Sequence, residues 1–202
     1  MRITLFDYGA GNLHSLAKAL DAPGATVRIE EDPRRAIDTD LLVLPGVGAF
    51  ASAAERLAPG REAMREAILG GLPTLGICLG MQLLLDEGDE GPGRGLGVVP
   101  GRVERLSAVR VPQIGWNRLE EVTDPLLTDA ALDMAYYANS FVCRPADPSA
   151  AIAWSTHEDD RFVAAVRVAN AIGVQFHPEK SSAAGVRFVR GVVEWAGVAG
   201  RR

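Results

Sequence analysis

Residues 72–85 read LPTLGICLGMQLLL, and the single cysteine at their centre marks a change of local structure. Leu75, Ile77 and the residues before them form a short apolar run of the kind that makes a buried strand. Beyond Leu79, the residues Met81, Gln82, Leu83, Leu84 and Leu85 are good helix formers. Cys78 therefore falls at a strand-to-helix turn, with Gly76 and Gly80 two residues to either side. Glycine there removes the Cβ atoms that a sharp reversal of the chain would bring into collision. The Gly-x-Cys-x-Gly spacing has the form of a nucleophile elbow, with sulfur in place of the serine hydroxyl. At the start of the following helix, unpaired N–H groups and the helix dipole favour an ionised thiolate. A lone cysteine is more often a packing residue. The two glycines and the strand–helix switch turn the reading to a nucleophile.

A nucleophilic thiol needs a base, and residues 171–181 (AIGVQFHPEKS) offer one. Pro178 biases His177 toward an extended conformation. Residues two apart in an extended chain share a side, so His177 and Glu179 are expected to face one another. A carboxylate bonded to one ring nitrogen fixes the tautomer and frees the other for proton transfer. Upstream, Leu41-Leu42-Val43-Leu44 reads as a strand covered on both faces, and it runs into Pro45-Gly46-Val47-Gly48-Ala49-Phe50. Such a turn leaves backbone N–H groups unshielded and able to receive the oxygen of a polarised carbonyl. Alone, it would pass for a plain Gly-rich turn. A zinc site would need more ligands, more closely spaced, than Cys78, His177 and Glu179 provide, so no metal is expected.

The remaining chain supplies a scaffold. Residues 3–6 form a strand ending in Asp7-Tyr8-Gly9-Ala10-Gly11-Asn12, and residues 13–20 a helix with an apolar stripe. The Gly9/Gly11 pair lacks the third glycine of a dinucleotide loop, because His14 stands there. A loop at the carboxyl edge of the first strand is the better reading, and open α/β sheets place ligands at that edge. Strands at 26–29 and 41–44 alternate with helices at 33–37, 51–58 and 61–69, which predicts an α/β fold with a mostly parallel sheet. Residues 86–97 (DEGDEGPGRGLG) read as a surface loop, and 98–106 and 109–114 as strands. Trp116, between Gly115 and Asn117 at the end of the latter, is either a core plug or an exposed anchor for a partner. A short helix at 125–131 precedes a strand over 134–142, with Cys143 structural at its end. The β pair 151–156 and 162–168 makes a smaller antiparallel section, His157 sits in a charged, solvated turn, and a helix over 181–197 closes the chain.

The totals exclude several classes. The 202 residues suit one well-buried domain over 1–202 rather than two. At 48% hydrophobic and 23% charged, the composition is that of an ordinary folded protein. A net charge of -5 with interspersed signs leaves no footprint for nucleic acid or an anionic membrane. No apolar run approaches bilayer length, and Met1 leads straight into a strand with no signal peptide visible. Two cysteines without a Cys-x-x-Cys motif fit the reducing cytoplasm.

Together, the thiol elbow, the Gly-rich turn and His177-x-Glu179 resemble the class I (triad) glutamine amidotransferases. Within them, the segments Asp7–Asn12, Pro45–Phe50, Gly76–Gln82, Pro112-Gln113-Ile114-Gly115-Trp116-Asn117 and Gln175–Ser181 are similar to the glutaminase subunits of imidazole glycerol phosphate synthase. The likeness covers nearly the whole chain and implies a three-layer, flavodoxin-like α/β domain. It implies a Cys78–His177–Glu179 triad, an oxyanion hole from Val47, Gly48 and Leu79, and no cofactor. Glutamine contacts are implied for Gly48, Gln82, Asn139, Ser140 and Phe141. Asn139 to Phe141 depart from the His-Ser-Tyr more usual in that family, and Asn139 does not titrate. The likeness further implies a (β/α)8-barrel cyclase partner that receives ammonia, docked near Asn12, Trp116 and Lys180. Three other readings compete: a glutaminase serving a different acceptor, a non-catalytic assembly protein, and a free-standing γ-glutamyl or peptide hydrolase.

Overall fold

The computed structural model describes residues 1–9, 13–46 and 48–199. The elements in chain order are β1 (Arg2–Phe6), α1 (His14–Leu20), β2 (Thr26–Glu30), α2 (Pro33–Ala36), β3 (Leu41–Leu44), α3 (Phe50–Leu57), α4 (Arg61–Leu69), β4 (Thr74–Ile77) and α5 (Leu79–Gln82). There follow β5 (Glu87–Gly88), β6 (Gly101–Arg105), β7 (Gln113–Arg118), α6 (Pro125–Asp129), β8 (Met134–Asn139), β9 (Phe141–Pro145), β10 (Ala151–His157), β11 (Asp160–Val168), β12 (Ala171–Val174) and α7 (Ser182–Ala199).

Seven strands form the central sheet in the order β10-β11-β12-β4-β3-β1-β2. The five strands from β12 to β2 run parallel, while β10 and β11 are antiparallel additions. The sheet thus has the α/β, mostly parallel form with an antiparallel section that the alternation of strands and helices predicts. The period of two along β3 explains why its four residues are all apolar. Leu41 and Val43 enter the core beneath α1 and α7, and Leu42 and Leu44 the core beneath α3 and α4. All four are wholly buried, each contributing on the order of 1.5–3 kcal/mol. Helices on both faces leave the strand ends as the place where polar chemistry meets solvent. No helix among the described residues is long and apolar enough to cross a membrane.

Four expectations need correction. The strand read over 134–142 is two strands broken at Ser140, because β8 pairs with β7 whereas β9 pairs with β6. Trp116 lies inside β7 rather than after a strand end, and that strand begins only at Gln113. Residues 86–97 are not simply a surface loop: β5 pairs with β6, Leu96 is buried, and the Glu90 carboxylate accepts the Phe50 N–H at 2.8 Å. His157 is half-buried, with Nε2 2.8 Å from the Arg110 carbonyl oxygen.

Candidate active site

The parallel strands deliver their carboxyl ends to one edge, and the proposed chemistry gathers there. Cys78 follows β4 with φ 47° and ψ −103°, a left-handed strain that a residue with a Cβ adopts only under constraint. The glycines explain how the chain tolerates it. A Cβ on Gly76 would stand 2.7 Å from the Gly80 carbonyl oxygen, and one on Gly80 only 2.0 Å from that of Leu44. The elbow is therefore pressed against the end of β3. One expectation changes: the helix after the elbow is a single turn, Leu79–Gln82, rather than a run to Leu85. A one-turn helix sums few peptide dipoles and gives the sulfur correspondingly little help.

His177 and Glu179 come to the same edge from the end of β12, which lies beside β4 in parallel register. The two side chains meet with His177 Nδ1 2.9 Å from Glu179 Oε1. The local reason differs from the extended one read in the sequence. His177 is extended, but Pro178–Lys180 make a 3-10 turn that swings the carboxylate back to the ring. Burial pushes the imidazole down, yet hydrogen bonds to Cys78 and Glu179, reinforced by their charges, outweigh it and raise His177 to about 9. Cys78 and Glu179 thus both hold the proton on His177. The second oxygen of Glu179, Oε2, is buried and has no hydrogen-bond partner among the described residues.

The Gly-rich turn completes the cluster. A Cβ on Gly46 would come within 2.9 Å of His177 Cε1 and 3.0 Å of Cys78 Cβ, so only glycine lets the turn lie against the pair. Gly48 has φ 110°, a conformation that favours glycine. Leu79 opens α5 directly after the sulfur, where helical N–H groups have no partner inside the helix. Val47 and Asn12 lie outside the described residues. A cleft of about 240 Å³, lined by Leu13, Ser15, Leu16, Pro45, Gly46, Glu179 and Lys180, opens beside this turn.

Gln82 and Asn139 are buried, and both amides donate to the Phe141 carbonyl, at 3.2 and 3.1 Å. Asn139 Oδ1 is left buried without a partner among the described residues, and Ser140 turns the chain between β8 and β9 with its carbonyl accepting from Leu106 N–H at 2.9 Å. Trp116 is half exposed and packs edge-on against Tyr136, over whose ring the Lys180 ammonium stands at 6.0 Å. Two functional neighbours escaped the sequence reading. The Tyr8 hydroxyl donates to the Pro45 carbonyl, and Gln175 Nε2 lies 3.5 Å from Cys78 Sγ. Only the strand order β12-β4-β3-β1 makes these residues neighbours, and no local periodicity encodes it.

A family profile, glutamine amidotransferase class-I, matches residues 4–190. The chain belongs to the class I glutamine amidotransferase family. It is 42% identical to a protein of Leifsonia xyli named imidazole glycerol phosphate synthase subunit HisH, over 96% of this chain and 97% of that one. A protein of the same name from Halobacterium salinarum is also 42% identical, over 96% and 93% of the two chains. Among solved structures, one described as a glutamine amidotransferase superimposes with a TM-score of 0.74 at 21% identity, over 96% of this chain and 98% of that one. A glutamine amidotransferase from Thermotoga maritima gives 0.65 at 19%, over 100% and 94%. At those identities the structures establish the shared fold.

Proposed function

We propose that this chain is the glutaminase subunit of an imidazole glycerol phosphate synthase, acting in histidine biosynthesis in the cytoplasm as one domain over residues 1–202. The observation that carries the reading is the Cys78–His177–Glu179 line, with His177 bonded at 2.9 Å to the carboxylate and its proton held up by both the sulfur and the carboxylate. The Cys78 thiolate attacks the carboxamide carbon of glutamine. N–H groups of Leu79 and of the Val47-Gly48 turn receive the oxyanion. His177 gives its proton to the departing nitrogen, which leaves as ammonia, and a glutamyl thioester remains. The imidazole then takes a proton from water, whose oxygen attacks the thioester and expels the Cys78 thiolate, releasing glutamate and restoring the starting pair. The step needs no cofactor.

Gly48, Gln82, Asn139, Ser140 and Phe141 hold glutamine in this reading. The unpartnered Asn139 Oδ1 supports it, since a buried acceptor gains most from a ligand N–H. The acceptor of the ammonia is a (β/α)8-barrel cyclase subunit. It docks where Trp116 and Ile114 stand exposed beside Lys180, with Asn12 as a further contact. That face has a direct line to the triad, because His177 N–H donates to the Tyr136 carbonyl at 2.8 Å. The test is glutamine hydrolysis by the purified chain, with and without the cyclase and its nucleotide ligand. Dependence on the cyclase is the expected result. High activity of the chain alone would favour a free-standing hydrolase instead.

A further inference from the structure

We infer that Gln175 is a catalytic residue of this glutaminase, donating its side-chain N–H to Cys78 Sγ and holding the sulfur as thiolate, with Gln82 as the residue that orients it. The inference rests on the glutaminase reading of Cys78. Val174 pairs with Ile77 across β12 and β4, and Cys78 N–H donates to the Val174 carbonyl at 2.7 Å. The next residues, Gln175 and Cys78, therefore leave their strands side by side. Gln175 is wholly buried, and its Nε2 stands 3.5 Å from the sulfur, an ordinary distance for N–H···S.

Which end of the amide faces sulfur follows from the network. Gln82, one turn beyond Cys78, donates through Nε2 to the Phe141 carbonyl at 3.2 Å and to Gln175 Oε1 at 3.4 Å. A backbone carbonyl only accepts, so it fixes the Gln82 amide. Gln82 Nε2 then claims the oxygen of Gln175 and leaves the Gln175 NH2 turned to Sγ. The amides of Gln82 and Gln175 thus have one consistent assignment, Gln82 donating to Phe141 and Gln175, and Gln175 donating to Cys78.

The sulfur needs such a donor because the helix behind it is a single turn. A neutral amide stabilises the thiolate by a charge-assisted bond. Among the described residues, the titratable groups coupled to the sulfur or to its imidazole include His177, Glu179, Tyr8 and Cys143. Burial pushes Tyr8 and Cys143 well up, so both stay neutral over the working range, while His177 is raised.

The test is the rate of iodoacetamide alkylation at Cys78 against pH, read by peptide mass spectrometry on the full chain. Wild type is compared with Gln175→Leu, which removes the donor, and Gln175→Glu, which keeps the shape and replaces the donor with an acceptor. The midpoint is expected to rise by roughly one pH unit in Gln175→Leu and further in Gln175→Glu. The plateau rate at high pH is expected to hold or rise, because a less stabilised thiolate is the stronger nucleophile. A structural lesion would instead lower the plateau at an unchanged midpoint. An unchanged midpoint in whichever variant folds overturns the inference. Glutamine hydrolysis in the assembled complex separates the two readings. A shifted midpoint with an inactive wild-type complex removes the glutaminase reading and leaves the Gln175–thiolate contact standing.

Discussion

The hydroxyl of Tyr8, at the end of β1, donates a hydrogen bond to the carbonyl of Pro45, where the Gly-rich turn leaves β3. The turn is fixed at its far end too, since the Glu90 carboxylate accepts the Phe50 N–H at the start of α3. The Tyr8 hydroxyl stays neutral, pushed up by burial and then by the neighbouring charges of Cys78 and Asp7. Tyr8→Phe keeps the ring that packs edge-on against Phe6 but leaves a buried carbonyl unpaired. That costs about 1–3 kcal/mol, or very roughly 2–10 °C in Tm for a chain of this size. A displaced turn also misaims an oxyanion donor, a loss on the order of 10²–10³-fold when complete. Turnover should therefore fall with little change in KM. Loss of Tm with turnover intact would reduce Tyr8 to a fold-only role.

Two glycines at the site should fail in opposite ways when substituted. Alanine at Gly80 puts a Cβ 2.0 Å from the backbone oxygen of Leu44, which has no rotamer to yield. Gly80→Ala should therefore fail to give soluble folded protein. Alanine at Gly46 instead meets side chains, His177 Cε1 at 2.9 Å and Cys78 Cβ at 3.0 Å. These yield by moving the imidazole off the sulfur. Gly46→Ala is expected to fold, lose most glutamine hydrolysis, and alkylate more slowly at neutral pH. Circular dichroism beside an activity assay separates the two outcomes.

Trp116 is 52% exposed and packs edge-on against Tyr136. Its removal should cost the fold under about 1 kcal/mol, as surface substitutions do. As a docking anchor it should cost the complex about 2 kcal/mol or more, roughly 30-fold in Kd. Thermal melts and calorimetric titration with the cyclase give the two numbers. Equal losses would remove Trp116 from the docking surface.

The elbow was legible because its constraint is local: two glycines within two residues of Cys78 serve a strained φ that the structure contains. His177 and Glu179 were legible by spacing, although the 3-10 turn at Pro178 brings them together by another route. The break at Ser140 was not legible. Residues 134–142 are strand-like apart from Asn139-Ser140, a pair too short to read as a turn, and the choice of partners, β7 for one half and β6 for the other, divides them. Trp116 inside β7 has the same cause, since Gly115 at φ 129° reads locally as a stop. Tyr8 and Gln175 act across 37 and 97 residues of chain, a separation that only sheet order closes.

The raised His177 pKa ties stability to pH with a definite sign. Its folded value of about 9 lies above the ordinary 6.5, so the folded chain holds a proton that the unfolded chain releases first. The stabilisation is complete below pH 6.5 and disappears as pH climbs through 9. Each unit of separation corresponds to about 1.4 kcal/mol, an upper bound where burial and partners oppose one another. Unfolding free energies of wild type and His177→Asn, measured by denaturant titration from pH 6 to 9.5, should therefore converge as pH rises. Cys78→Ala removes the sulfur's hydrogen bond and charge, leaving Glu179 alone against burial. The convergence should then begin at lower pH. A gap between wild type and His177→Asn that stays constant over this range would mean that His177 does not hold its proton through the sulfur and Glu179.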